Sequence, residues 1–165
     1  MNASLKTIAG MMVATLIAGC EPSTTPPATT TVDPVSAGES ESSRDFGDYV
    51  LHFNAIRTDS LTPEVARTYD ITRSPSRVML NVSMIRKVDG TPGTPVSGTV
   101  EVETVNLKGQ VKDFAIREIR EGEAVYYIGD LPISNAETLV FSIDAVPAGE
   151  SRHLNVRFQR TFFSN

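Results

Sequence analysis

From Phe46 onward, apolar residues recur at every second position over short stretches separated by Gly, Pro and Asp, the pattern of strands that bury one face. Tyr49, Leu51, Phe53 and Ala55 form the first such face, and Val78, Leu80, Val82 and Met84 form the next, opposite Arg77, Asn81 and Ser83. Val96, Gly98, Val100 and Val102 lie opposite Glu101 and Glu103 and predict one strand ending near Asn106. Lys108-Gly109 then supplies a tight hairpin. A strand from Val111 to Arg120 follows, with Phe114 and Ile116 inward, and turns at Glu121-Gly122. Leu139, Phe141, Ile143 and Ala145, and then Leu154, Val156 and Phe158, mark the last two strands.

Two stretches depart from simple alternation. Ala124-Val125-Tyr126-Tyr127-Ile128 is apolar on both faces and belongs in a central or covered strand. Thr62-Pro63-Glu64-Val65-Ala66-Arg67-Thr68-Tyr69 has an N-cap, a proline at the first helical position and an acid at the positive end of the dipole, so it predicts a helix of about two turns. About seven strands with one short helix point to an all-β fold, an antiparallel sandwich of immunoglobulin-like or fibronectin-like architecture, with a small barrel as the alternative. The chain has no Trp and one Cys, so the core must rest on Val, Ile, Leu and Phe.

The residues ahead of this pattern carry a different message. Residues 1–19 combine Lys6, an apolar run from Ile8 to Ile17 and small residues before a cut site, the layout of an export signal too short to span a bilayer comfortably. Ile17-Ala18-Gly19-Cys20 resembles the lipobox of bacterial lipoproteins. That resemblance implies a palmitate-class lipid anchor on Cys20, with the chain held on the periplasmic side of the cell envelope. The residue after the cysteine is Glu21 rather than Asp, and the resemblance to lipoproteins of that kind implies the outer membrane. Several acyl chains make release slow, because each buried CH₂ contributes about 0.8 kcal/mol. Residues 20–45 are rich in Pro, Thr and Ser and read as a disordered tether, leaving residues 46–165 as one β-sandwich domain.

A formal net charge of -5 argues against nucleic acid as a partner, since nucleic-acid binding needs basic patches. Nucleophilic catalysis has little to work with. There are two histidines, His52 and His153, no Gly-x-Ser-x-Gly elbow, and a single cysteine already assigned to lipid. Neither histidine has a second ligand at metal-binding spacing, and Met79 and Met84 fall on opposite faces of one strand, so no metal or cofactor is expected. The run Arg117-Glu118-Ile119-Arg120-Glu121-Gly122-Glu123 reads first as the solvated side of a hairpin. Arg120 together with an exposed Tyr126 or Tyr127 is the candidate contact surface.

The segments Phe46-Gly47-Asp48-Tyr49-Val50-Leu51-His52-Phe53-Asn54-Ala55, Leu61-Thr62-Pro63-Glu64-Val65-Ala66, Arg117-Glu118-Ile119-Arg120-Glu121-Gly122-Glu123-Ala124-Val125-Tyr126-Tyr127-Ile128-Gly129 and Val156-Arg157-Phe158-Gln159-Arg160-Thr161-Phe162-Phe163 resemble a domain-of-unknown-function family of small exported gammaproteobacterial proteins. The resemblance implies an envelope location and brings no reaction, ligand or site residue with it. The expectation is therefore a non-enzymatic, membrane-anchored accessory module that acts by contact with an envelope protein. The alternative is a small-ligand or glycan carrier that binds between the sheets.

Overall fold

In the computed structural model, residues 42–164 are described. The expected signal peptide, Cys20 and the tether as far as residue 41 lie outside the described residues. The strands are β1 (Ser43–Asp45), β2 (Tyr49–Arg57), β3 (Arg77–Arg86), β4 (Thr94–Val96), β5 (Gly98–Asn106), β6 (Val111–Lys112), β7 (Arg117–Glu121), β8 (Ala124–Pro132), β9 (Glu137–Pro147) and β10 (Leu154–Phe162). One helix, α1 (Pro63–Thr68), follows a short 3-10 turn at Thr58–Ser60. The first sheet runs β1-β2-β3-β8-β7, with β4 also paired to β3, and the second runs β10-β9-β5-β6. Every pairing is antiparallel, so the expected all-β sandwich is the fold.

Among the described residues there are ten strands rather than about seven, for three physical reasons. Val96 to Asn106 divides at Ser97: β4 pairs with β3 in the first sheet, whereas β5 pairs with β9 in the second. Val111 to Arg120 divides likewise, because β6 closes the hairpin on β5 and β7 joins β8 in the opposite sheet. Phe114 and Ile116 do pack against the core, as their parity predicts, but from the crossover between sheets. Finally, β1 lies just ahead of Phe46 and pairs Ser43 with His52 and Asp45 with Val50. Its turn is closed by the Gly47 N–H donating to Asp45 Oδ1 at 2.8 Å.

Alternation fixes which faces meet. Leu51, Ala55, Leu80, Val82 and Met84 of the first sheet face Leu139, Phe141, Ala145 and Leu154 of the second, all fully buried. Phe53 and Phe158 lie 4.8 Å apart between ring centroids, and Phe158 stacks on Phe141 at 5.0 Å. Each such Leu or Phe contributes roughly 1.5–3 kcal/mol on burial. Together they fill the space between the sheets.

The outer face of the first sheet is covered too. Ile71, Met79 and Ile128 form a second apolar cluster, flanked by Ile56, Leu61, Tyr69, Ile119 and Tyr126. Helix α1 sits in this covering segment and begins as its sequence predicts, with the Val65 N–H donating to Thr62 Oγ1 at 3.2 Å. Thr58 pins the same loop, its buried hydroxyl donating to Thr72 O at 2.8 Å and accepting from the Ser74 N–H at 2.9 Å. This cover explains why β8 is apolar on both faces.

Candidate functional site

The β7–β8 register places Tyr127 opposite Glu118, Val125 opposite Arg120, and Tyr126 opposite Ile119. Residues opposite each other share a face, so Arg120 and Tyr127 point toward the second sheet while Tyr126 points away from it. Arg120, Tyr126 and Tyr127, the expected contact residues, therefore do not share one face. The strand pleat separates the two tyrosines, and each lands in a different apolar cluster.

Tyr127 is 4% exposed. Its hydroxyl accepts the Gly98 N–H at 2.7 Å and lies 2.7 Å from Glu118 Oε2 and 3.0 Å from Gly98 O, the two acceptors that share its proton. Burial first, and then the Glu118 carboxylate, push this phenol up to about 12. Arg120 is exposed and binds Glu118 through Nε at 2.7 Å. Tyr126 is half-buried beside Ile128 and Ile119. Ser97, Gly98, Glu118, Arg120, Pro147 and Glu150 border a shallow open groove of about 360 Å³ at this rim.

The other polar clusters mostly hold the fold. Glu137 accepts from the Ser134 N–H at 2.7 Å and from Asn106 Nδ2 at 3.2 Å, and pairs with Lys112 at 2.9 Å. Burial alone would raise its carboxyl, but the Ser134 N–H, Lys112 and Asn106 outweigh that and hold it below its ordinary value. Asn106 also accepts the Lys108 and Gln110 N–H groups, both at 3.0 Å, and so shapes the β5–β6 hairpin. Tyr49 bonds to Glu150 at 3.0 Å and lies under the Arg86 guanidinium. His52 is exposed, and His153 Nδ1 lies 2.8 Å from Asp144. Among the described residues no three of His, Cys, Asp and Glu gather to hold a metal ion, and no helix is long and apolar enough to cross a membrane.

One surface was not anticipated. The β5–β6 hairpin carries Leu107 and Val111 at 71% and 70% exposure, beside Lys108 and Gln110. Leu107 next to a turn lysine was the available signal, since an apolar side chain gains nothing at a polar hairpin tip.

A family model described as "Domain of unknown function (DUF4426)" matches residues 43–165. This chain belongs to the DUF4426 family. The match starts at β1, so the first strand is part of the DUF4426 domain. A crystal structure of a DUF4426 family protein from Pseudomonas aeruginosa PAO1 is 30% identical, with a TM-score of 0.63, and the alignment covers 78% of this chain and 97% of that one. FetP of uropathogenic E. coli strain F11, recombinantly expressed in the periplasm of E. coli BL21(DE3), has a TM-score of 0.51 at 12% identity, covering 74% of this chain and 93% of that one. At that identity the likeness is one of fold. No curated protein matches the chain.

Proposed function

We propose that this DUF4426 protein is a non-enzymatic module of the cell envelope, anchored on the periplasmic side of the outer membrane by lipid on Cys20, and that it works by contact with another envelope protein. The observation that carries this reading is the exposed pair Leu107 and Val111 at the end of a hairpin whose shape is fixed by Asn106. A rigid tip that holds two apolar side chains in water is suited to insertion into a partner's pocket. The lipobox-like sequence ending at Cys20 supports the anchor.

The competing reading, a carrier with its ligand between the sheets, is disfavoured by the packed interior. Leu51, Leu80, Met84, Leu139 and Phe141 occupy the space such a ligand needs. The reading is tested with a photo-crosslinking residue placed at Leu107 in the acylated chain in cells, and at exposed His52 as a control. One discrete adduct from position 107, absent from 52 and lost with Val111→Asp, is the expected result. Equal labelling from both positions would count against contact through the tip. Replacing Cys20 with Ser should move the chain out of the membrane fraction, and continued membrane association would remove the lipid from the account.

A further inference from the structure

Strand β7 ends the first sheet, pairing with β8 on one side only. Among the described residues its backbone makes no backbone–backbone hydrogen bond outside that ladder. Arg117, Glu118, Arg120 and Glu121 are exposed, and Ile119 at the centre is half-buried. Charged edges usually discourage strand addition. Here the order of the charges does something else.

We propose that β7 is a self-complementary edge through which two copies of this chain join antiparallel about a twofold axis at Ile119. Read backwards, Arg-Glu-Ile-Arg-Glu has every charge inverted, so the strand is complementary in charge to its own reverse. In antiparallel pairing centred on Ile119, Arg117 of one copy faces Glu121 of the other, Glu118 faces Arg120, and Ile119 faces its own counterpart. Both charged relationships occur twice, as an isologous interface requires. Directly opposite side chains share a face, so each pair meets on one side of the joined sheet.

The neighbouring registers are all penalised. Sliding one residue either way opposes Arg117 to Arg120 or Glu118 to Glu121, and sliding two opposes Glu118 or Arg120 to itself. Parallel pairing in register sets every charge against its like. Of these alignments only the one centred on Ile119 opposes unlike charges at all four charged positions of the strand, so the charges favour it over its neighbours. Arg120 already reaches a carboxylate two residues away, at Glu118, and the same guanidinium can reach that carboxylate on a facing strand. Five facing residues bury much less than a standard interface. The association is therefore weak and concentration-dependent.

Sedimentation of the purified chain over a concentration series up to the sub-millimolar range tests this. Wild type should shift reversibly from monomer to dimer. Arg120→Glu alone and Glu118→Arg alone should each stay monomeric, because their self-pairing opposes like charges. An equimolar mixture of the two should recover the dimer, since positions 118 and 120 are then both carboxylates on one copy and both guanidiniums on the other. Arg117→Glu mixed with Glu121→Arg repeats the test with Tyr127's bond to Glu118 left intact, and circular dichroism checks that each variant folds. Wild type that remains monomeric throughout, single variants that dimerise as wild type does, or mixtures in which neither pair recovers the dimer would each overturn the proposal.

Discussion

The Tyr127 hydroxyl lies 2.7 Å from the amide nitrogen of Gly98, the residue at which the chain begins its strand in the second sheet. A side chain of one sheet thus satisfies the backbone of the other where the chain passes between them. Replacing Tyr127 with Phe keeps the ring and leaves the Gly98 N–H and Glu118 without this partner. A loss of about 1–2 kcal/mol is expected, read as a lower urea midpoint with an unchanged slope.

The same phenol makes stability depend on alkaline pH. Its folded value is raised to about 12 from an ordinary value of 10.0, so between those values the folded state binds more protons than the unfolded chain. Stability from this group is complete below about pH 10 and falls as pH rises toward 12. In Tyr127→Phe that part of the alkaline decline should disappear, measured by urea midpoints across the window.

Acid acts on Glu137 in the opposite sense. Its carboxyl is held below the ordinary 4.5, so its contribution is present above that value and is lost as pH falls through the lowered one. Glu137→Gln should cost about 1 kcal/mol at neutral pH and flatten the acid limb of the stability profile. An unchanged acid limb would show that Lys112 and the Ser134 amide do not favour the charged form.

Gly98, which begins β5, and Gly109, in the β5–β6 turn, have different reasons to be glycine. A Cβ on Gly98 would stand 2.0 Å from Val146 O, a backbone atom that cannot move aside. Gly109 has open space around it and a φ of +75°. Gly98→Ala should cost about 3 kcal/mol or abolish folding, whereas Gly109→Ala should cost only about 1–2 kcal/mol. Thermal unfolding of the two variants checks the ordering.

Arg160 guards the other edge of the first sheet. It reaches from β10 to Asn54 Oδ1 at 3.0 Å and to the β2 backbone at Ala55 O at 2.6 Å. Arg160→Ala leaves that carbonyl open at a strand edge. We expect a loss of about 1–2 kcal/mol together with increased light scattering on standing; stability loss without aggregation would confine Arg160 to joining the sheets.

Period-two alternation showed the inward sets of β2, β3, β9 and β10 because a buried face leaves its mark on every second residue. It could not show where a strand changes ladder partner. Val96, Gly98 and Val100 keep one parity across Ser97 while the chain passes from one sheet to the other, and Phe114 and Ile116 keep theirs in a crossover. The helix start at Thr62-Pro63 was legible because capping is local. The site was less so. Which of Tyr126 and Tyr127 lies between the sheets depends on register with Glu118 and Ile119, and Tyr126 is half-covered because the α1 segment closes over the outer face, a tertiary event without a local signal.

The brevity of β1 sets how the domain meets mechanical force. A pull on the chain ahead of Ser42 arrives at the end of a ladder only three pairs long, and antiparallel geometry loads those pairs one after another, as in unzipping. β1 itself spans roughly 10 Å at about 3.3 Å per residue, and the turn at residues 46–48, held by Lys87 and Arg152, stands between it and the nine-pair ladder of β2 and β3. A load on that side is thus met by the three-pair β1 ladder ahead of the β2–β3 ladder.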